Sequence, residues 1–264
     1  MLVEARRHKV LELVKTAGYV DLTELARVLD CSKSTVRRDL DFWDEQGQLK
    51  RTHGGAMFTG ETGEQGELPA LEERLDRAVT EKGLIAQAAV QRITDGAVLL
   101  LDGGTTTLEV ARRLQGRALQ VVTNSLPIAA MLSGSSQMDL IMMGGYVYPK
   151  TGVALGPLTI AMLEKVHVQQ AILSVSGITP RGLFNSNLLL VETERAMMRC
   201  ADEVVVVADH TKLDRSSLAL LCPLSAVDTL IVDPGIKPEQ RRWIEEAGVR
   251  LVVAGEGSAE EFRT

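Results

Sequence analysis

The first part of the chain carries three apolar patterns at helical spacing, separated by polar turn residues. Residues 2–16 predict one helix, and two shorter patterns predict helices that begin after Asp21 and Ser32, both natural N-caps. The apolar positions are Leu2, Val10, Leu11 and Val14, then Leu22, Leu25 and Leu29, then Val36, Leu40 and Trp43. Asp30-Cys31 predicts a tight turn before the third helix, which is the layout of a helix-turn-helix.

A short hairpin is predicted directly after the third helix. Residues 49–58 place Lys50, Arg51 and His53 around Gly54-Gly55, a composition typical of a β-hairpin. Together with the three helices, this hairpin completes a winged helix-turn-helix. The pattern therefore predicts a DNA-binding domain over residues 1–58.

Polar and basic residues at the start of the third helix are the candidates for contact with DNA. Arg reads guanine edges or binds phosphate, and Ser and Thr hydrogen-bond to either. In an alternative interpretation, Arg37 and Arg38 are a solvated surface paired with Asp39 and Asp41. The candidate DNA-binding residues are Ser32, Lys33, Ser34, Thr35, Arg37, Arg38, Lys50, Arg51 and His53.

A second domain follows a polar linker. Residues 59–69 (TGETGEQGELP) are rich in Gly and Glu, which predicts a flexible connection. Residues 70–264 then alternate short apolar runs with helical patterns, which predicts an α/β domain with a mostly parallel sheet covered on both faces. The predicted strands are residues 97–101, 120–123, 139–143, 171–175, 204–208 and 229–232. The predicted helices are residues 80–93 (with Leu84, Ile85, Ala88 and Ala89 inward), 107–114, 126–132, 159–166, 192–200 and 238–247.

The loops after the strands hold the candidate ligand site, because ligands of open parallel sheets bind beyond the carboxyl ends of the strands. Asp102-Gly103-Gly104 followed by Thr105–Thr107 offers hydroxyls and helix N–H groups for an anion. The segment has neither the lysine of a Walker motif nor the full dinucleotide glycine pattern, which argues against ATP and NAD. The other polar loops are Thr123-Asn124-Ser125, Gly144-Gly145, Ser176-Gly177-Ile178 and Asp209–Lys212.

Each loop alone also fits an ordinary strand-to-helix turn, since Ser, Thr and Asp are common helix caps. Taken together, the loops supply an anion cradle, a carboxylate, an amide and a lysine. Such a set suits a small phosphorylated polyol or sugar. We assign hydroxyl groups to Asp102, a phosphate to Thr105–Thr107, and a phosphate or oxyanion to Lys212.

The charge distribution restricts DNA binding to the N-terminal domain. Residues 1–58 hold 10 Lys and Arg against 9 Asp and Glu, a net charge of +1, whereas residues 59–264 hold 19 against 26, a net charge of −7. DNA affinity must therefore come from a local cluster. The three scattered cysteines favour neither a disulfide framework nor a metal site. With no apolar run of membrane-spanning length, we expect a cytoplasmic protein without a metal or cofactor.

Several motifs resemble one known family. Residues 24–56, with STVRRDL and RTHGGA, resemble the helix-turn-helix of DeoR-type bacterial regulators. This implies that residues 32–38 contact the major groove, and that Lys50, Arg51 and His53 contact the backbone or minor groove. DGGTTT, TNSLPIA, MGG, GPL, SGI and ADHTK in the second domain resemble the DeoR sensor domain, which is similar to the ribose-5-phosphate isomerase fold and typically senses phosphorylated sugars or related metabolites. The implied effector-binding residues are Asp102, Gly104, Thr105, Thr106, Thr107, Thr123, Asn124, Ser125, Gly145, Gly177 and Lys212.

The chain also departs from the family pattern near the implied site. Members often read ADSSK where this chain has ADHTK, and often carry a lysine where this chain has Glu194. Residues 182–193 (GLFNSNLLLVET) are unusually apolar. The loss of a cation implies either a different ligand or a phosphate held mainly by the backbone.

These observations predict a transcriptional regulator, not an enzyme. We expect a repressor of sugar or carbohydrate metabolism genes that binds operator DNA as a homodimer or larger homo-oligomer and is released by a phosphorylated sugar or related metabolite. The alternative is a sugar-phosphate isomerase-like enzyme with an appended N-terminal domain. Asp102 would then be the acid or base, but the sequence offers no clear second catalytic partner.

Overall fold

A computed structural model describes residues 3–17, 19–46, 48–52, 54–57 and 71–256 of the chain. The chain divides into two compact units, one N-terminal and one C-terminal. The predicted linker, residues 59–69, and His53 lie outside the described residues, as do Gly18 and Gly47. Among the described residues, no helix is long and apolar enough to cross a membrane.

The N-terminal unit contains three helices and a small antiparallel sheet. Its elements are α1 (Val3–Ala17), β1 (Tyr19–Asp21), α2 (Leu22–Val28), α3 (Lys33–Glu45), β2 (Lys50–Arg51) and β3 (Gly55–Met57). The sheet has the order β1-β3-β2, so the predicted hairpin gains a third strand that the sequence pattern did not reveal. The predicted helices and hairpin are confirmed, and so are the two caps: Asp21 accepts a hydrogen bond from the Thr23 N–H, and Ser32 from the Thr35 N–H.

The three helices bury one aliphatic cluster between them. Val10, Val14, Leu25, Val36 and Leu40 are each fully buried in it. These residues recur every three or four positions along their helices, so each helix turns one apolar face inward. Asp30 takes a left-handed backbone conformation (φ 47°), which makes the tight turn that precedes α3.

The C-terminal unit is built around seven parallel strands. Its elements are α4 (Leu71–Leu75), α5 (Val79–Val90), β4 (Val98–Leu101), α6 (Thr105–Leu114), β5 (Leu119–Thr123), α7 (Leu126–Leu132), β6 (Met138–Met142), β7 (Tyr146–Tyr148), β8 (Val153–Leu155), α8 (Pro157–Leu163), β9 (Val168–Leu173), β10 (Gly177–Thr179), β11 (Gly182–Asn185), α9 (Leu188–Arg199), β12 (Ala201–Val207), β13 (Ala219–Cys222), β14 (Thr229–Val232), α10 (Pro238–Glu246) and β15 (Arg250–Val253). Short 3₁₀ turns cover His210–Lys212 and Leu224–Ala226.

The parallel sheet has the order β15-β14-β12-β9-β4-β5-β6. Leu99, Leu100 and Leu101 of β4 are all fully buried. Because successive strand residues point to opposite faces, both faces of the sheet are covered here. The predicted α/β class is confirmed, and all six predicted strands occur. The seventh strand, β15, was not predicted.

Two small antiparallel sheets occupy the segments between the main strands. β7 pairs with β8, and β11 lies between β10 and β13.

The prediction that Leu84 faces inward is wrong, since its side chain is 41% exposed whereas Ile85 is fully buried. Lys82 and Ala86 are the residues that α5 buries beside Ile85 and Ala89, so the buried face of the helix is rotated away from Leu84.

Candidate functional site

The start of α3 presents polar groups to solvent. Ser32, the N-cap, accepts a hydrogen bond from the Thr35 N–H at 3.2 Å and lies 2.8 Å from the hydroxyls of Ser34 and Thr35. Lys33, Arg37 and Arg38 are exposed, while Val36 is buried. The helix therefore turns one face into the core and carries its candidate DNA-binding residues on the other.

The two arginines do not pair with the neighbouring aspartates. Asp39 is 1% exposed and binds Arg6 of α1, whose Nε lies 2.6 Å from the carboxylate. The hydrogen bond to Asp39 raises the pKa of Arg6. Asp41 pairs with Arg51 on β2. Arg37 and Arg38 have no ion-pair partner within residues 3–17, 19–46, 48–52 and 54–57. The alternative interpretation, in which Asp39 and Asp41 pair with these two arginines, is therefore not supported.

The wing, which is the hairpin of β2 and β3, is bonded to α3 through Arg51. The Arg51 N–H donates to the Asp44 carboxylate at 3.2 Å, in addition to the Arg51–Asp41 ion pair. Arg51 is still 39% exposed at its side chain. The guanidinium therefore faces solvent from a fixed position beside the recognition helix.

The second candidate site lies at the carboxyl edge of the parallel sheet. Four central strands, in the order β12, β9, β4 and β5, end there side by side. The segment 102–107 follows β4, residues 123–125 end β5 and begin α7, Ser174 follows β9, and Lys212 follows β12. The predicted loops thus meet at neighbouring strand ends, except that Gly145 follows the edge strand β6.

Two glycines allow the chain to pass closely after β4. A Cβ atom on Gly103 would lie 1.9 Å from a methyl group of Val153, and one on Gly104 would lie 2.0 Å from the Ser174 hydroxyl. Gly104 also precedes α6 without any side-chain cap. The first-turn N–H groups of this helix are therefore not capped by a side chain, as an anion site requires. The Thr107 hydroxyl donates back to the Gly104 carbonyl at 3.0 Å and fixes the turn.

The residues after β5 fix the other side of the site. The Thr123 hydroxyl donates to the Leu101 carbonyl at 2.7 Å and accepts from the Ser125 N–H at 3.1 Å, which joins the ends of β5 and β4. Ser125 caps α7. The Asn124 amide donates to the Ala154 carbonyl at 3.2 Å, but its buried oxygen has no hydrogen-bond partner in the described part of the chain.

Asp102 is a buried carboxyl at the end of β4. It is 1% exposed, and neither carboxylate oxygen completes a hydrogen bond within the described residues. Burial raises the pKa of Asp102 to about 7, although the nearby Gly103 and Ser174 N–H groups, the Asn124 amide and Arg74 each act to lower it. An unsatisfied buried carboxyl at a strand end is a strong indication of a ligand position.

Glu194 of α9 is a second buried carboxyl in the same place. It is 2% exposed, and burial together with the charge of Asp102 raises its pKa well above the ordinary value. Asn185 donates to one of its oxygens at 2.5 Å and accepts from the Ser176 hydroxyl at 2.6 Å. The other Glu194 oxygen has no partner in the described part of the chain. The sequence signalled Glu194 only as a departure from a family pattern, and Asn185 was missed.

Several cations lie close enough to the site to act on one another and on Asp102. Burial lowers the pKa of Lys212, which is also lowered by the charges of Arg74, Arg215 and Arg77 and raised by Asp209. Burial likewise lowers the pKa of Arg74, whose buried Nη1 has no hydrogen-bond partner in the described part of the chain, while Asp102 raises it. Lys82 donates to the carbonyl groups of Arg74 and Arg77, which holds this turn in place. Of this group, only Lys212 was predicted from the sequence.

Three predicted positions have packing contacts of their own. A Cβ on Gly177 would lie 2.1 Å from the Arg215 carbonyl oxygen, and one on Gly145 would lie 2.1 Å from the Thr159 hydroxyl. His210, where the family often has serine, donates through Nδ1 to the Asp233 carboxylate at 2.8 Å. The described residues contain no cluster of three or more His, Cys, Asp or Glu that is able to hold a metal ion.

Comparison with known proteins identifies both domains. Residues 6–62 match the model of the DeoR-like helix-turn-helix domain, and residues 77–234 match the DeoR C-terminal sensor domain. A putative aga operon transcriptional repressor of Escherichia coli O157:H7 is 30% identical over 95% of this chain and 94% of its own length. The glycerol-3-phosphate regulon repressor of Haemophilus influenzae is 32% identical over 94% of this chain and 96% of its own length. A ribose 5-phosphate isomerase from Methanocaldococcus jannaschii aligns with a TM-score of 0.37 and 19% identity, over 50% of this chain and 53% of that one.

The winged helix-turn-helix and the α/β domain define a DNA-binding transcriptional regulator with a small-molecule sensor domain, not an enzyme. The chain belongs to the DeoR family.

Proposed function

We propose that this regulator represses genes of sugar or carbohydrate metabolism and leaves its operator when a phosphorylated sugar or related metabolite binds the C-terminal unit. Binding at a site distinct from the DNA-binding surface changes operator affinity only if the ligand prefers one conformation over the other. A regulator of this kind acts in the cytoplasm, where it meets both the chromosome and the metabolite.

The observation that carries the proposal is the set of groups at the carboxyl ends of β4, β5 and β12. Arg74, Lys212 and the α6 N-terminus supply positive charge for a phosphate. Asp102 and Asn124 offer buried oxygens that lack partners within the described residues, and these suit the hydroxyl groups of a sugar. A ligand with an anionic end and a donor-rich end satisfies both sets of groups.

The proposal for the DNA-binding surface depends on α3. Arg37 and Arg38 are exposed beside Ser34, while Asp39 is occupied by Arg6. Exposed guanidinium groups at the start of a recognition helix are suited to guanine edges and phosphates. The relatives include a glycerol-3-phosphate regulon repressor and an L-fucose operon activator, both of Haemophilus influenzae, which supports a role in sugar metabolism and includes both directions of control.

The test separates the two surfaces with matched variants. An operator is first selected in vitro from random DNA with the full chain. We expect Arg37→Ala and Arg38→Ala to weaken its binding by at least about tenfold each, as the loss of a good base contact does. Arg112→Ala, which removes an arginine 57% exposed on α6, is the control and keeps wild-type affinity. Fluorescence anisotropy measures all four proteins.

Effector release is measured on the same complexes. A phosphorylated sugar that raises the melting temperature of the full chain is expected to dissociate the wild-type complex from its operator. Wild-type operator binding by both arginine variants would show that α3 is not the reading surface. A thermal shift from unphosphorylated compounds alone would remove the phosphate from the proposal.

A further inference from the structure

Two buried carboxyl groups belong to the candidate ligand site, and no cation among the described residues is bonded to either. Asp102 is 1% exposed and Glu194 is 2% exposed, and the charge of Asp102 acts on Glu194. Among the described residues, no hydrogen bond or salt bridge from Arg or Lys reaches either carboxylate. Two like charges that interact while buried are unfavourable unless a group of opposite charge compensates them.

The same place has a surplus of hydrogen-bond acceptors. Both oxygens of Asp102, the Oδ1 atom of Asn124 and the Oε2 atom of Glu194 have no partner in the described part of the chain. Buried polar atoms in native proteins are almost always satisfied. The oxygens of Asp102 and Asn124 lie at neighbouring strand ends, where the Gly103 and Ser174 N–H groups act on Asp102 without satisfying it. Together with the Glu194 oxygen, they indicate a ligand that mainly donates. A hydroxyl donates a single hydrogen, whereas an ammonium group donates three and carries no lone pair.

We infer that the effector of this pocket carries a protonated amine, held between Asp102 and Glu194, in addition to its phosphate. The inference rests on the proposed function, because the phosphate end is assigned to the cations of the same site. Glu194 then determines specificity: it adds the second negative charge that an ammonium group requires. A neutral polyol would leave the two carboxyls either repelling each other or protonated.

The arrangement favours an amine over a metal ion. Asp102 and Glu194 are two carboxyls only, and the described residues contain no group of three metal-ligating side chains. The amide groups of Asn124 and Asn185 lie beside them, and the Asn185 amide nitrogen already donates to Glu194. Two carboxylates and an amide oxygen match the three hydrogens of one ammonium group.

The experiment compares pairs of ligands that differ in one group. Each 2-amino-2-deoxyhexose 6-phosphate of the gluco, galacto and manno series is titrated into the full chain beside its parent hexose 6-phosphate, as are 2-aminoethyl phosphate and 2-hydroxyethyl phosphate. Isothermal calorimetry gives the affinities. We expect the amine to bind at least about tenfold more tightly in one pair or more, since a charge-assisted hydrogen bond is roughly twice as strong as a neutral one.

Two variants connect the preference to Glu194. Glu194→Gln keeps the size of the side chain and an oxygen for Asn185 but removes the charge, so we expect it to lose most of the preference for the amine while it still binds the hydroxyl partner. Glu192→Gln is the control on the same helix, because Glu192 is 55% exposed and pairs with Arg195 instead. It is expected to keep the wild-type preference.

Each outcome decides between the inference and the proposed function. Equal or tighter binding of the hydroxyl member in every pair that binds would overturn the amine and leave the phosphosugar function standing. An amine preference that persists in Glu194→Gln would overturn the role of Glu194. Binding of no member of any pair would count against the inference and against the phosphate end of the proposed function together.

Discussion

Asp39 in the N-terminal unit and Asp102 in the C-terminal unit are both buried but have opposite surroundings. Asp39 is satisfied by Arg6 and Arg7, whose guanidinium nitrogens lie 2.6 and 3.4 Å from its oxygens. Asp102 is equally buried, yet Arg74 acts on it only at longer range. A paired carboxylate of this kind holds a structure together, whereas an unpaired one costs stability and is retained where a ligand uses it.

The cost of Asp102 predicts how stability depends on pH. Its pKa is raised from 3.8 to about 7 in the folded chain, so the folded state holds the proton more tightly than the unfolded state. The contribution of Asp102 to stability is therefore greatest below about pH 4. It falls as the pH rises from about 4 to about 7, and it does not change further above about pH 7. A shift of this size corresponds to at most roughly 4 kcal/mol.

Asp102→Asn removes this titration. We expect the variant to lose less stability than the wild type between about pH 5 and about pH 8, and to be the more stable of the two at the upper end. Glu194, whose pKa is also raised, leaves part of the fall in place. Scanning calorimetry measures the difference. Asp139→Asn, on the exposed side of β6, serves as the control, and an identical pH profile for Asp102→Asn and wild type would refute the assignment.

At the scale of helices and strands, the ion pair of Asp39 joins α3 to α1. Asp39 is 2% exposed at its side chain and Arg6 is 15% exposed. Asp39→Ala leaves the Arg6 charge without its partner, and we expect it to destabilise the N-terminal unit by about 2–4 kcal/mol. Asp41→Ala breaks the pair with Arg51, in which both side chains are far more exposed, and should cost less than about 1 kcal/mol.

Urea unfolding reports this difference through Trp43, whose indole N–H donates to the Arg7 carbonyl at 2.8 Å. Trp243 is replaced by Phe in every protein, because it is the other of the two tryptophans in the chain. Equal losses in Asp39→Ala and Asp41→Ala would mean that the buried pair contributes no more than the exposed one.

Helices and strands were predictable where their buried residues form a regular apolar pattern in the sequence. Residues 229–232 and 126–132 were predicted with the bounds they have in β14 and α7, because apolar periodicity and the Ser125 cap are local signals. β15 was missed because Arg250–Val253 is only partly buried, whereas β14, of the same length, is buried throughout. The Asp21–Thr23 and Ser32–Thr35 caps were likewise visible as single polar residues before an apolar pattern.

The candidate ligand site was predictable only in part, because only some of its residues are close together in the sequence. The loops after β4 and β5 carry Gly, Thr and Asn in consecutive positions, so Asp102 and Asn124 were predicted as site residues. Arg74 and Glu194 come from helices distant in the sequence, and only the folded topology brings them to the same strand ends. Glu194 and Cys222 are likewise far apart in the sequence but close in the fold. Burial, and then the charge of Glu194, raise the pKa of Cys222 to about 11.

For the whole molecule, the main constraint is the small number of cations available to DNA. Residues 1–58 carry a net charge of only +1, and the rest of the chain carries −7. The candidate DNA-binding cations of one chain are Lys33, Arg37, Arg38, Lys50 and Arg51. Each phosphate neutralised by a protein contributes about −0.9 to the slope of log K against log salt concentration. A single chain is therefore limited to a slope of about −4.5.

We predict a steeper slope than one chain is able to produce, because operator binding by a net-acidic protein requires two reading surfaces on two half-sites. Lys33, exposed at the start of α3, is the side chain to remove, since lysine binds phosphate as a point charge. Lys33→Ala should make the slope shallower by about 2 if two chains bind and by about 1 if one does. Lys165→Ala, which removes an exposed lysine just beyond α8, should leave it unchanged. Anisotropy titrations at several salt concentrations give these slopes. A wild-type slope within the single-chain limit, with a change of about 1 on removal of Lys33, would establish that a single chain binds each operator.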